Sequence, residues 1–108
     1  MSELVKTIVL VPEADNSGRP FTEDDWAWLE QQLRRFGGWS VRVGVTGAWR
    51  SDTSRRWMRD ASREVTVGID GWTVLPRWLG LVKRIGKRFG QEAMYVEVAG
   101  IPDTIPIP

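Results

Sequence analysis

Four segments of the chain carry the apolar patterns of β-strands. Residues 6–11 form a β-branched apolar run that ends at a proline, and residues 39–48, 63–69 and 93–99 alternate between apolar and polar positions. A continuous apolar run is typical of a strand covered on both sides, whereas alternation is typical of a strand with one exposed face. The inward-facing sets of the alternating strands are Val41, Val43 and Val45; Val65, Val67 and Ile69; and Met94, Val96 and Val98.

Two further segments have helical periodicity. The first follows Thr22, which together with Asp25 predicts a capping pattern at the helix N-terminus, and it ends at Gly37. The second covers residues 75–89, with a proline in the first turn, where a helix tolerates it. The apolar stripes that face a core are Trp26, Leu29, Leu33 and Phe36 in the first helix and Trp78, Val82, Ile85 and Phe89 in the second.

The resulting order, β-α-β-β-α-β, predicts an α+β domain over residues 1–108. Its usual arrangement is ferredoxin-like: a four-stranded antiparallel sheet with both helices on one face and strands one and three in the centre. The proline-rich tail, residues 100–108, is predicted to be extended. The face without helices would then display Arg42, Gly44, Thr46, Glu64, Thr66, Gly68, Tyr95 and Glu97.

This open face is predicted to be covered by something. The first strand is apolar on both sides, so either Ile8 and Leu10 or Val9 and Val11 must lie on the open face, and the sequence does not decide which pair does. An apolar central strand on an exposed face favours a cover. The candidates are a second copy of the sheet, a ligand and the tail, and we favour the second copy, which predicts a homo-oligomer.

Composition excludes several kinds of chemistry. The chain has no cysteine and no histidine, which excludes serine–histidine and cysteine–histidine hydrolases and disfavours a transition-metal site. We therefore expect neither a metal nor a cofactor. No apolar run is long enough to cross a bilayer, and the N-terminus lacks a secretion signal, so the expected location is cytoplasmic, without a membrane partner.

Charge is concentrated in the middle of the chain. Residues 42–88 hold eleven basic and four acidic side chains, although the whole chain has a net charge of +1. Residues 49–62 are predicted to form a long loop that is rich in arginine and tryptophan. Arginine pairs with phosphate and tryptophan stacks on bases, so this loop predicts a site for an anionic, nucleotide-like ligand. The candidate ligand-binding residues are Trp49, Arg50, Arg55, Arg56, Trp57 and Arg59, with Arg42, Tyr95, Gln91 and Glu92 in addition.

Simpler interpretations of the charged segments stand beside this one. The loop can be a solvated hairpin whose tryptophans pack back on the domain, and the basic side of the second helix can be an ordinary solvated face. Binding of nucleic acid is disfavoured, but not excluded, because the pI is about 8.2 and both ends of the chain are acidic.

Three short fragments carry a resemblance to a family. The residues at 36–39 (FGGW), 47–50 (GAWR) and 89–92 (FGQE) occur in an order that resembles small bacterial proteins of unknown function. The resemblance covers residues 7–99 and agrees with the predicted fold. It implies no activity, but it directs attention to Trp49, Gln91 and Glu92.

Three functions follow as hypotheses. Because histidine and cysteine are missing, we favour a non-enzymatic, oligomeric binding domain for an anionic ligand. One alternative is a protein–protein adaptor or inhibitor, in which tryptophan and arginine are interface anchors. The other is a small dimeric α+β-barrel-type enzyme that uses Tyr95, Glu97 or Glu92 on the covered sheet face. Its candidate carboxylates are Glu92, Glu97, Glu64 and Asp60; Glu64 and Glu97 are expected on the open face, with Tyr95 between them as a proton donor.

Overall fold

The computed structural model describes residues 3–50 and 54–108, which form two α-helices and five strands. Short 3-10 turns, Arg34–Phe36 and Trp72–Val74, follow the first helix and precede the second. In chain order the elements are β1 (Leu4–Pro12), α1 (Glu23–Leu33), β2 (Trp39–Arg50), β3 (Trp57–Asp70), α2 (Leu75–Arg88), β4 (Ala93–Val98) and β5 (Ile101–Pro106).

The strands form one antiparallel sheet in the order β2-β3-β1-β4-β5. The predicted α+β class with two helices and an antiparallel sheet is confirmed, and β1 and β3 lie in the interior of the sheet. The prediction of four strands is wrong, because the proline-rich tail adds β5 along the whole of β4.

The fifth strand depends on a two-residue turn between β4 and β5. Ala99 and Gly100 both have positive φ angles, 51° and 82°. Positive φ at both central positions gives a turn whose twist matches that of the flanking strands. Two prolines argued against a strand here, yet an edge strand accepts proline where its missing N–H would have pointed to solvent.

The outer edge of β5 offers no free N–H. The N–H of Ile107 donates to the carbonyl of Glu92 at 2.9 Å. The backbone N–H groups of the odd-numbered residues of β5 therefore point towards β4, and those of the even-numbered residues point away from the sheet. The outward positions are Pro102, Thr104 and Pro106, and the Thr104 N–H donates to the Asp103 carboxylate at 2.8 Å. Another strand therefore finds no donor along this edge.

The start of α1 follows the predicted local pattern. The Asp25 N–H bonds to the Thr22 hydroxyl, and the Asp25 carboxylate accepts from the Thr22 N–H at 2.9 Å, which completes a capping box. Phe21 packs edge-on against Trp26 with ring centroids 6.4 Å apart, so an apolar contact flanks the cap.

Both helices pack on the same face of the sheet. Trp78 of α2 is fully buried and meets the Phe36 ring edge-on at 5.3 Å. On β1 the buried residues are Val5, Thr7, Val9 and Val11, which leaves Ile8 and Leu10 half-buried on the opposite face. This decides the question that the sequence left open. The other buried apolar residues of this core include Leu29, Leu33, Val65, Val67, Ile69, Leu81, Val82, Ile85, Phe89, Met94 and Val96.

A bulge interrupts the alternation in β2. The register with β3 shifts between Arg42, which pairs with Glu64, and Val45, which pairs with Ser62. Gly44 has a φ of +76°, a conformation that glycine adopts without strain. Because Ser62 and Glu64 share a face, Val45 lies on the open face, so the predicted common face for Val41, Val43 and Val45 is wrong.

The predicted long loop is largely a β-hairpin. Pairing between β2 and β3 continues to Arg50 and Trp57, so both strands extend through most of the segment 49–62. The sequence did not predict strands here because this part of the hairpin has no apolar inner face, and the first residues of β3 are exposed. The arginines and tryptophans therefore do not alternate with buried apolar residues. Residues 51–53 of the predicted loop lie outside the described residues.

Candidate functional site

The open face brings together side chains from four neighbouring strands. The register places Ile8 of β1 between Thr66 of β3 and Glu97 of β4. In the next row Leu10 pairs with Glu64, and the same register carried one residue further places Leu10 beside Tyr95. Adjacent strands lie about 4.8 Å apart, so β1 separates the residues of β3 from those of β4 by about 10 Å between backbones.

One carboxylate of this face has a basic partner. Glu64 and Arg42 form an ion pair at 3.2 Å, with 24% and 72% of their side chains exposed. Because Arg42 is largely solvated and lies on the edge strand, the pair contributes little to stability. Arg42 can therefore leave Glu64 without disturbing the fold, and this predicted ligand-binding residue lies at the rim of the open face.

The pKa of Tyr95 is raised by partial burial of its phenol and by the two carboxylates of the open face. Partial desolvation of the phenol raises the pKa of Tyr95 above its ordinary value of 10.0, and the charge of Glu97, a hydrogen bond to Glu97 and the charge of Glu64 raise it further. Tyr95 is 39% exposed, so a ligand can reach it. At neutral pH this phenol stays protonated and can donate a hydrogen bond, but it cannot serve as a base.

The charges of this face suit a cationic ligand with an apolar part. Within the part of the chain that the structure describes, Glu97 forms no salt bridge, although it is half-buried. The half-buried side chains of Ile8 and Leu10 lie between the two carboxylates. Carboxylates beside apolar surface attract a positive charge more strongly than carboxylates in bulk water.

The arginine and tryptophan candidates lie on the β2–β3 hairpin. Arg50 pairs with Trp57, and Arg59 is two residues further along β3, so these three share one face of the hairpin. Trp57, the first residue of β3, is 69% exposed, and Arg55 and Arg56, which directly precede β3, are exposed as well. The alternative that tryptophans of this segment pack back on the domain does not apply to Trp57. The side chain of Trp49 lies outside the described residues.

Gln91 and Glu92 lie in the connection between α2 and β4. The Gln91 amide donates to the Phe89 carbonyl at 2.8 Å, and the Glu92 carbonyl accepts from Ile107. Both contacts shape the turn and anchor the tail, while the Glu92 side chain is exposed. The nine predicted ligand-binding residues with described side chains are therefore distributed over the hairpin, the open face and this turn, and the structure does not bring these nine into one pocket.

The residues that the structure describes contain neither a membrane-spanning helix nor a cluster of metal ligands. No helix among them is long and apolar enough to span a membrane. No cluster of three or more acidic side chains among them could hold a metal ion.

Two solved structures have the same fold as this chain. A phage SAM lyase in complex with S-methyl-5′-thioadenosine matches with a TM-score of 0.78 at 15% sequence identity, over 98% of this chain and 92% of the lyase. A phage SAM lyase in the apo state matches with a TM-score of 0.63 at 14% identity, over 94% of this chain and 88% of the lyase. No family model and no curated protein matches the chain, so the resemblance to small bacterial proteins stays a prediction.

These neighbours contradict the favoured functional hypothesis. We predicted a non-enzymatic binding domain, whereas both structures with this fold are lyases. The prediction failed because it took the absence of histidine and cysteine as evidence against catalysis. A substrate that already carries a good leaving group needs neither residue, and the enzyme alternative with open-face carboxylates fits the neighbours better.

Proposed function

We propose that this chain is a small enzyme that cleaves S-adenosylmethionine on the open face of its sheet and releases S-methyl-5′-thioadenosine. The observation that carries the proposal is the match to a SAM lyase that holds this product, with a TM-score of 0.78 over 98% of the chain. In this interpretation the first four strands and two helices are a ferredoxin-like βαββαβ unit, and β5 extends it. Because the sequence identity is 15%, the roles of individual residues cannot be transferred from the lyase, and they follow instead from the side chains of this chain.

Electrostatic attraction supports S-adenosylmethionine as the substrate. Its sulfonium and ammonium groups are both positive, and the open face offers the carboxylates of Glu64 and Glu97. Glu97 forms no salt bridge among the described residues, and Glu64 forms an ion pair with the exposed Arg42. Ile8 and Leu10 provide the apolar surface against which an adenosyl group can pack.

The proposed reaction breaks the bond between the sulfonium sulfur and the γ-carbon of the methionine chain. The electron pair of that bond stays on sulfur, which gives the neutral thioether S-methyl-5′-thioadenosine. The γ-carbon is then bonded by the carboxylate oxygen of the substrate itself, which closes a lactone, or the β-carbon loses a proton to Glu64 or Glu97, which gives a double bond. Both routes balance without a metal or a second reagent.

Each side chain of the face has a part in this reaction. Glu97 and Glu64 hold the cationic substrate, and in the second route one of them accepts the β-proton. Tyr95 stays protonated and donates a hydrogen bond that orients a carboxylate, of the protein or of the substrate. Removing water from the site strengthens these interactions and favours loss of the positive charge from sulfur.

A second copy of the chain provides the proposed cover for this face. Ile8 and Leu10 lie in the middle of the open face and are only half-buried in one chain. The outer edge of β5 offers another strand no N–H donor, because its outward positions are two prolines and Thr104, whose N–H is already bonded to Asp103. Association through the face rather than through this edge therefore fits the structure, and native mass spectrometry measures the number of copies.

Product analysis with variants tests the proposal. Purified protein is incubated with S-adenosylmethionine, and S-methyl-5′-thioadenosine and the four-carbon product are quantified by liquid chromatography and mass spectrometry. Glu97→Gln and Glu64→Gln should each lower the rate about 100-fold, and Tyr95→Phe about tenfold. Glu92→Gln removes an exposed carboxylate outside the face and should leave the rate unchanged. Equal losses in Glu92→Gln and Glu97→Gln would show that the open face is not the site.

A further inference from the structure

A groove of about 490 Å³ lies in the helical layer, on the side of the sheet opposite to the open face. Its lining residues are Arg35, Phe36, Arg77 and Arg84. Phe36 follows α1 and contacts Trp78 in the first turn of α2, so the groove lies where the C-terminal end of α1 meets the part of α2 between Arg77 and Arg84. Three positive charges therefore converge on one concave surface.

These three arginines have no acidic partner among the residues that the structure describes. The ion pairs there join Arg42 to Glu64, Arg63 to Glu13 and Arg88 to Asp25, and none involves a groove arginine.

The same side of α2 shows how a paired arginine differs. Arg77, Arg84 and Arg88 are seven and four residues apart, which places them on one side of the helix, along its boundary with α1. At one end of this boundary α1 supplies Asp25, which bonds Arg88 at 3.3 Å. At the other end it supplies Arg35 and Phe36 instead. No salt bridge among the described residues offsets the repulsion between the groove arginines at that end, so binding of an anion there reduces the repulsion.

The aromatic ring in the groove holds an arginine and is not available to a base. The Arg77 guanidinium lies 5.0 Å from the centre of the Phe36 ring, a cation–π distance. This contact holds the guanidinium near the ring and leaves its N–H groups free to donate. Phe36 is itself buried, so it offers no open face for stacking. The groove thus recognises charge and not a nucleobase.

We infer that this groove binds the phosphate groups of a multiply charged anion. Arginine forks match phosphate oxygens with paired hydrogen bonds. Seven residues of helix separate Arg77 from Arg84 by about 10 Å along the axis, which suits a chain of phosphates better than a single one. The phosphates can belong to a free polyphosphate or to a nucleic-acid backbone. The site is independent of the proposed cleavage reaction, because it lies on the other side of the sheet.

Titration of two probes into matched double variants tests the groove. The probes are inorganic tripolyphosphate and a twelve-residue oligothymidylate, added to the full-length protein in a calorimeter at constant ionic strength. The test variant is Arg77→Gln with Arg84→Gln. The control is Lys83→Gln with Lys87→Gln, which removes the same charge from exposed positions on the neighbouring face of α2. Arg84→Gln alone, which keeps the contact between Arg77 and Phe36, serves if the double variant does not fold.

The groove predicts a site-specific loss of affinity. The arginine variant should bind tripolyphosphate at least tenfold more weakly, and the lysine control less than threefold more weakly. If only the oligothymidylate binds, with the same dependence on the arginines, the phosphate source is a nucleic acid and the inference stands. Equal weakening by both pairs, or no binding of either probe, would overturn it. Cleavage of S-adenosylmethionine should be unchanged in both variants, so this test and that of the proposed function fail separately.

Discussion

Two glycines of α2 provide a matched test of how the C-terminal tail is held. An alanine Cβ at Gly80 would meet no atom within 4 Å, whereas one at Gly86 would lie 2.6 Å from Cγ1 and Cδ1 of Ile107 and 3.0 Å from Cγ of Met94. Contacts that short require the neighbours to move. Ile107 follows β5, so its packing against Gly86 attaches the fifth strand to the helical layer.

The magnitude follows from two opposing effects. Replacing glycine by alanine inside a helix stabilises it by about 0.5–1 kcal/mol, and this gain is common to both positions. Overpacking costs about 1–3 kcal/mol, and it applies only at Gly86. The free energy of unfolding of Gly80→Ala should therefore exceed that of Gly86→Ala by about 1–3 kcal/mol.

Urea unfolding of the two single variants measures this difference, and a third variant assigns its cause. In the Gly86→Ala background, Ile107→Ala removes the clashing atoms, so the double variant should be more stable than the sum of the single effects predicts. If Gly80→Ala and Gly86→Ala have the same stability, or if the double variant is additive, Ile107 does not pack on α2 as described.

Two further predictions concern the start of α1. Thr22→Ala removes the capping hydroxyl and should lower the free energy of unfolding by about 1 kcal/mol. Thr22→Ser keeps a capping hydroxyl, so its free energy of unfolding should stay close to that of the unmodified protein. Equal losses of stability in the two variants, measured by chemical denaturation, would contradict the capping box. Hydrogen bonds from the Thr22 N–H, the Thr22 hydroxyl and Arg88 hold the pKa of Asp25 below its ordinary value of 3.8. Because the folded pKa is depressed, the stabilising effect is present above pH 3.8 and is lost as the pH falls through the lower folded pKa. Asp25→Asn should therefore flatten the acid side of the stability profile, and an unchanged profile would refute the assignment.

Local signals in the sequence were sufficient for much of the fold. Thr22 and Asp25 act within one helical turn, so their pairing is encoded in four consecutive residues. The valines of β3 alternate along a regular strand, and their burial follows from that alternation. In β2 the same reasoning failed after Gly44, because a bulge depends on the partner strand and leaves no apolar pattern of its own.

The site was predictable only where strand alternation determined it. Alternation placed Glu64, Tyr95 and Glu97 on the open face, but the interposition of β1 between them depends on the order of the strands. The groove was missed because Arg35 and Arg77 are far apart in sequence and meet only through the packing of α1 on α2. Positive charge near a turn also led to the prediction of a ligand-binding site on the hairpin, although positive charge alone does not distinguish a solvated hairpin from a binding site.

The most direct test of the central claim is the release of S-methyl-5′-thioadenosine from S-adenosylmethionine by the purified protein. The reaction is followed by mass spectrometry over time, and the spontaneous breakdown of S-adenosylmethionine is measured in samples without the protein. The account predicts formation of this thioether in proportion to enzyme concentration, together with an equal amount of a four-carbon product, and loss of both in Glu97→Gln. Release at no more than the spontaneous rate, by protein whose fold and oligomeric state are intact, would contradict it.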